Sequence, residues 1–206
     1  MAKRRRITAE QLLAELATDR KFVELQSAED RELRREEKQL ARAQAPLLRD
    51  LNAAGAHLES VWDLVNTRRK YPTLIPVLLK HLDRKYPGKI REGIARALAV
   101  PGAVIGWNQL LRNFVAEPVL DERGHANQVK WALHLAIAAA ADSSVVGDLV
   151  GLAADRRHGE HRSFFIDGLS RINDLRARAA LEELKADPDL AEGFKRLAKR
   201  RKSKRA

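Results

Sequence analysis

The stretch "DRRHGEHR", residues 155–162, gathers the densest polar chemistry in the chain: Asp155, His158, Glu160 and His161. Zinc requires three or four nitrogen, sulfur or oxygen ligands converging as a tetrahedron. Two histidines three apart on a glycine-containing turn meet half of that requirement, and there is no cysteine to complete it. The stretch is therefore expected to be a solvated turn with a capping role. His125 and His134 stand apart from it. Other catalytic templates fail in turn: there is no GxxxxGK[ST] phosphate loop, no GxSxG elbow and no HExxH helix. The carboxylates are dispersed among cations, so no acid/base couple stands out. No catalytic residue, cofactor or metal is expected.

The absence of cysteine also excludes disulfides, thiolate catalysis and iron–sulfur ligation. At 206 residues the chain suits one domain or one array of repeats. Aromatics are scarce, at 5%, while Ala, Leu and Arg, all good helix formers, dominate. No apolar stretch approaches the ~20 residues of a membrane span. The opening "MAKRRRITAEQLLAELATD" has a basic n-region without an apolar h-region, so a cytoplasmic address is expected.

The net charge of +11 invites a nucleic-acid partner, but its location matters. Lys3, Arg4, Arg5 and Arg6 sit at one end, and Lys195, Arg196, Lys199, Arg200, Arg201, Lys202, Lys204 and Arg205 at the other, with no acid in either tail. The body between them holds 27 cations against 28 acids. The basicity belongs to the ends.

The elements follow from apolar spacing. Thr8 opens a first helix with Gln11 as its capping-box partner. A long helix from about Ser27 to Ala54 carries Leu33, Leu40 and Leu47 seven apart, with Glu37 and Gln44 where a coiled coil needs its second apolar position. It reads as a lone, largely solvated helix leaning on the body through a narrow stripe; a dimer seam is the alternative. Asp30 and Arg34 are spaced to pair at i,i+4. From Ser60 the chain becomes regular. Leu74, Leu78, Leu79 and Leu82 mark one helix, and Ile90, Ile94, Ala97 and Leu98 the next. A helix near 104–116 and a partner near 126–140 follow, then apolar sets at 145–153, 165–172 and 177–184. Aligning the second helices puts Ile94, Leu133 and Phe165 in one register and Leu98, Ile137 and Leu169 in another. The steps, 39 and 32 residues, suit stacked helical hairpins.

The segments "IREGIARALAV" and "GEHRSFFIDGLSRINDLRARAALEELKADPDL" resemble HEAT repeats: a basic residue opens the second helix, followed by a small or apolar residue and then Leu. The resemblance covers roughly residues 70 to 200. It implies an all-α, right-handed α-solenoid of about four hairpins behind a long N-terminal helix. The expected organisation is a helical extension at 1–56, the repeats at 57–194 and a basic tail at 195–206. The insert "PVLDERGHAN" departs from the pattern and is expected to protrude. Such repeats usually hold a protein partner, and their second helices tend to line the concave side.

Residues pointing away from each second helix's apolar stripe form three rows: Arg91, Lys130 and Arg162; Glu92, Trp131 and Ser163; Arg96, Leu135 and Asp167. These nine are the candidate partner-binding surface. The basic row has a blander alternative, in which each cation bonds carboxylates or turn carbonyls of a neighbouring repeat, with Asp142, Asp155 and Asp174 at hand. Glu92 is spaced to pair with Arg96, and Asp167 with Arg171. Trp131 is either a partner anchor or core. Trp107 is expected in the core, and Trp62 as a plug between the long helix and the first repeat. A second function is non-specific contact of the tails with nucleic acid or ribosomes, carried by Lys3, Arg4, Arg5, Arg6, Lys199, Arg200, Arg201, Lys202, Lys204 and Arg205. HEAT-like DNA glycosylases use an Asp flanked by aromatics and Arg; Trp62–Asp63 and Trp131 supply parts of that set without its arrangement. A monomeric, non-enzymatic binding module is the expectation.

Overall fold

The structure, a computed structural model, describes residues 8–203, with side chains described except at 11–15 and 201–203. Among these residues there are eleven α-helices and no strand. The chain divides into two units between Ala43 and Gln44, inside the second helix.

The first unit contains α1 (Ala9–Thr18) and most of α2 (Arg20–Ala53). Asp19 starts α2 about seven residues before the expected Ser27, because its carboxylate accepts the N–H groups of Lys21 and Phe22 at 2.9 and 3.3 Å. Every residue from Ala17 to Gln39 is exposed, so this stretch is the solvated helix its composition implies. Of the leucine stripe, Leu33 is 57% exposed, Leu40 half-buried and Leu47 buried. Arg20 pairs with Glu24 at 2.9 Å. The expected Asp30–Arg34 pair is absent from the ion pairs of the described residues.

The second unit begins with the end of α2, where Leu47 and Leu51 are buried and Asp50 accepts from Lys80 Nζ at 3.1 Å and His81 Nε2 at 3.0 Å. Next come α3 (Trp62–Val65), α4 (Ile75–Leu82) and α5 (Gly88–Ala97), then α6 (Trp107–Ala116), α7 (Gln128–Ala140), α8 (Val146–Ala154), α9 (Arg162–Leu169), α10 (Leu175–Leu184) and α11 (Ala191–Ser203). One Asx side chain recurs at the start of α7 and α10 and of the short 3-10 segments that lead into α8, α9 and α11. Asn127, Asp142, Asp155, Asp174 and Asp187 each accept the N–H two residues on, at 2.7–3.0 Å, as capping groups do.

Helices pack in a repeated order: α5 on α7, α7 on α9, α9 on α11, with α4 on α5, α6 on α7, α8 on α9, and α10 on both α8 and α9. The registers read from the sequence lie between them. Ile94, Leu133, Phe165, Leu98, Ile137 and Leu169 are all inaccessible to solvent. The α9 and α7 backbones approach closely, since a Cβ on Gly168 would stand 3.2 Å from the Ala138 carbonyl oxygen. The 118–126 insert is exposed and closes on itself through Asp121 and one antiparallel bridge, Leu120–Ala126.

Candidate functional site

Two of the three residues of the basic row, Lys130 and Arg162, are held inside the fold, and Arg91 is half-buried. Lys130, 5% exposed, sits in the first turn of α7 and donates to the carbonyls of Phe114 and Glu117 at 3.0 and 2.7 Å. Those are carbonyls at the end of α6 left without helical donors. The ammonium also lies 4.6 Å from the Phe114 ring centroid. Burial pulls the pKa of Lys130 below the usual lysine range, and the Glu117 carboxylate partly restores it.

Arg162, 1% exposed, opens α9 in the same way, its Nε donating to the Ala153 carbonyl at the end of α8 at 2.8 Å. It also pairs with Asp187, 25 residues on. Arg91 pairs with Glu117, 26 residues on. The two ties have nearly equal span, one joining α5 to the end of α6 and the other α9 to the residues after α10. Lys130 and Arg162 therefore leave the candidate binding surface: their charge is used on carbonyls and carboxylates within the chain. Asp142, Asp155 and Asp174 are not those carboxylates; all three cap helix starts instead.

The other rows divide. Glu92 accepts from Arg96 Nε at 2.8 Å, as its spacing implies, and Arg96 lies over Trp62 at 6.0 Å. Trp62 packs against α5 at Gly93, where a Cβ would come within 3.2 Å of its Nε1. Trp62 nevertheless stays half-buried, where the sequence suggests a plug. Asp167 accepts from Arg200 at 3.1 Å rather than from Arg171, which donates to the Ala138 carbonyl at 2.7 Å. Ser163 accepts from Arg196 at 2.6 Å, and Arg196 lies 5.8 Å from the Phe164 ring. Helix α11 thus places two cations of the basic end on α9, so Arg200 and Arg196 are already engaged; Lys199 is exposed. Lys3, Arg4, Arg5, Arg6, Lys204 and Arg205 lie outside the described residues, as do the side chains of Arg201 and Lys202.

Trp131 is half-buried at the edge of a ring cluster, 4.8 Å from His134, 5.2 Å from His161 and 5.0 Å from Phe164 between centroids. The turn at 155–162 departs from the solvated connection expected of it. Asp155 does cap it, but His161 is 3% exposed and faces His134 with Nδ1 to Nδ1 at 2.9 Å. Nothing in the sequence links two histidines 27 residues apart, one on α7 and one at the residue that precedes α9. Trp107 is in the core, as expected, with Nε1 donating to Asp148 at 2.8 Å.

Arg96 and Leu135 share a feature that the rows do not reveal. They line a cleft of about 650 Å³ with Leu64, Val65, Ile75 and Val100, walled by residues 67–72. Tyr71 fixes that wall by donating its hydroxyl to the Ala97 carbonyl at 2.8 Å, and burial raises its pKa. The floor is apolar. Arg68, Arg69 and Lys70 provide three cations beside Arg96, which Glu92 already engages, and no carboxylate lines it. The run "TRRKY" at 67–71 was the available signal, but its distance from α7 in sequence hides it. Asp63, the carboxylate weighed for glycosylase chemistry, accepts the Glu59 and Ser60 N–H groups at 3.0 and 2.9 Å.

No protein-family model, no curated protein and no solved structure matches this chain.

Proposed function

We propose that this chain is a non-enzymatic binding module, a right-handed α-solenoid of about four HEAT-like hairpins that holds a protein segment in the cytoplasm. The stepwise packing of α5, α7, α9 and α11 supports the solenoid, since each hairpin of such an array contacts chiefly its neighbours. The repeated use of Lys130 and Arg162 on the carbonyls ending α6 and α8 supports it further.

The cleft carries the functional reading. An apolar floor surrounded by Arg68, Arg69, Lys70 and Arg96, with no carboxylate in the lining, suits an apolar anchor flanked by acids. The partner is accordingly a protein segment with a Leu, Phe or Trp between Asp or Glu residues. Trp131 stands one helical turn from Leu135 on α7 and extends the contact.

Selection from a displayed peptide library tests this. Enriched peptides should carry that pattern, and Leu135→Asp or Arg69→Glu should each weaken their binding by about tenfold or more. Enrichment of basic peptides, or undiminished binding by both variants, would remove the cleft as the site.

A further inference from the structure

Five cations follow one line along α2. Arg31, Arg35, Lys38 and Arg42 are spaced by four, three and four residues, and Arg34 flanks them. With Gln39 they line one shallow groove that contains no carboxylate. At 1.5 Å per residue the row extends about 16 Å. All five are exposed, and among the described residues none has an ion-pair or hydrogen-bond partner.

The helix segregates its charge. Leu33 and Leu40 lie nearly opposite Arg31 with Glu29, Glu36 and Glu37 on their side, while Asp30 and Glu32 stand at the two flanks between the faces. As a result Arg31–Arg35, Arg34–Lys38 and Lys38–Arg42 are like-charged i,i+4 neighbours, which weaken a helix. The same helix forms the opposite pair Arg20–Glu24 at 2.9 Å, while Asp30 and Arg34, also four apart, stay unpaired among the described residues. An anion laid along the row relieves that repulsion.

We propose that the Arg31–Arg42 face of α2 docks on the phosphodiester backbone of a double-stranded nucleic acid. The row is longer than the ~12 Å width of a major groove, so it can reach phosphates on both sides of one. Single strands fit less well, because the face carries no aromatic ring for bases to stack on. A membrane fits less well, because an interfacial helix buries its apolar face, and here that face carries Glu29 and Glu36. Contacts to phosphates carry no base-sequence information directly, so docking through this row alone does not select a sequence. This assignment does not depend on the cleft.

The test is fluorescence anisotropy of the full chain with DNA and RNA duplexes of one sequence, across a salt series. One variant changes Arg31, Arg34, Arg35, Lys38 and Arg42 to Gln, which keeps helix propensity. A control removes the same charge from other exposed cations, Arg84, Lys85, Lys89, Arg112 and Arg123. The α2 variant should lose roughly 100-fold in affinity, and its log–log salt slope should shrink by about 4.5, while the control changes by less than about threefold. Replacing the four arginines by Lys should retain binding, which keeps the test decisive if the Gln variant misfolds. A preference for the DNA or the RNA duplex identifies the source of the phosphates. Equal losses in variant and control, no binding at low salt, or equal affinity for phosphatidylserine vesicles or polyglutamate would each overturn the proposal.

Discussion

His134 and His161 meet Nδ1 to Nδ1 at 2.9 Å inside the second unit, packed between Trp131 and Phe164, and His134 Nε2 has no hydrogen-bond partner. One ring must donate and the other accept. Donation by His134 leaves its Nε2 a lone pair rather than an orphaned N–H, the less costly of the two tautomers. Protonating the acceptor turns two donors on each other. Burial accordingly pulls His134 down to about 3, with the His161 charge adding to it, and also lowers His161, His158 and His81.

The pair makes stability depend on pH with a definite sign. The unfolded chain takes up protons on these rings as pH falls through about 6.5, while the folded chain resists them. Stability is therefore fully present above about 6.5 and declines as pH falls, with His134 contributing down to about 3. Each ring adds up to about 1.4 kcal/mol per pH unit. Urea midpoints between pH 7.5 and about 4.5 should fall steadily, and His134→Leu should flatten the slope while His125→Leu, on the exposed insert, leaves it. An unchanged slope in His134→Leu would place the titration elsewhere.

The buried cations can be separated from the exposed ones by stability. Lys130→Met removes both donors from the Phe114 and Glu117 carbonyls and should cost about 2 kcal/mol. Arg162→Met should cost more, because it strips the Ala153 carbonyl and the Asp187 carboxylate together. Arg157→Met, whose guanidinium is exposed, should change the urea midpoint little. Equal effects at Arg162 and Arg157 would mean that Arg162 does not hold α8 and α9 together.

Two glycines should respond in opposite directions to alanine. At Gly168 the new methyl would face the Ala138 backbone at 3.2–3.3 Å, and the α7 backbone cannot yield as a side chain can. The gain in helix propensity is then outweighed, and Gly168→Ala should destabilise by about 1 kcal/mol, Gly168→Val by more. Gly151, on α8, has nothing within 4 Å of a built Cβ, so Gly151→Ala should stabilise by up to about 1 kcal/mol. Calorimetry of the two variants decides it; stabilisation at both would show that α7 and α9 are not in close contact.

Much of the core was legible from spacing alone. Apolar residues three and four apart mark helices because only a 3.6-residue turn brings them to one side, and the rows Ile94–Leu133–Phe165 and Leu98–Ile137–Leu169 are buried as aligned. Of the aspartates that cap, only Asp155 lies in a stretch whose sequence suggests a capping role; Asp142 and Asp174, which the sequence puts at hand for the basic row, instead accept the N–H groups two residues on. What spacing could not decide was which residues away from those stripes meet solvent. A single apolar stripe corresponds to one buried side, but α7 is packed by α5, α6 and α9, so Lys130 and His134, off one stripe, fall inside another contact. Neither the His134–His161 pair, the Asp167–Arg200 bond nor the cleft joining residues 64–72 to Leu135 has a local cause. Each exists because packing brings together segments that are dozens of residues apart, and only the tertiary structure sets those distances.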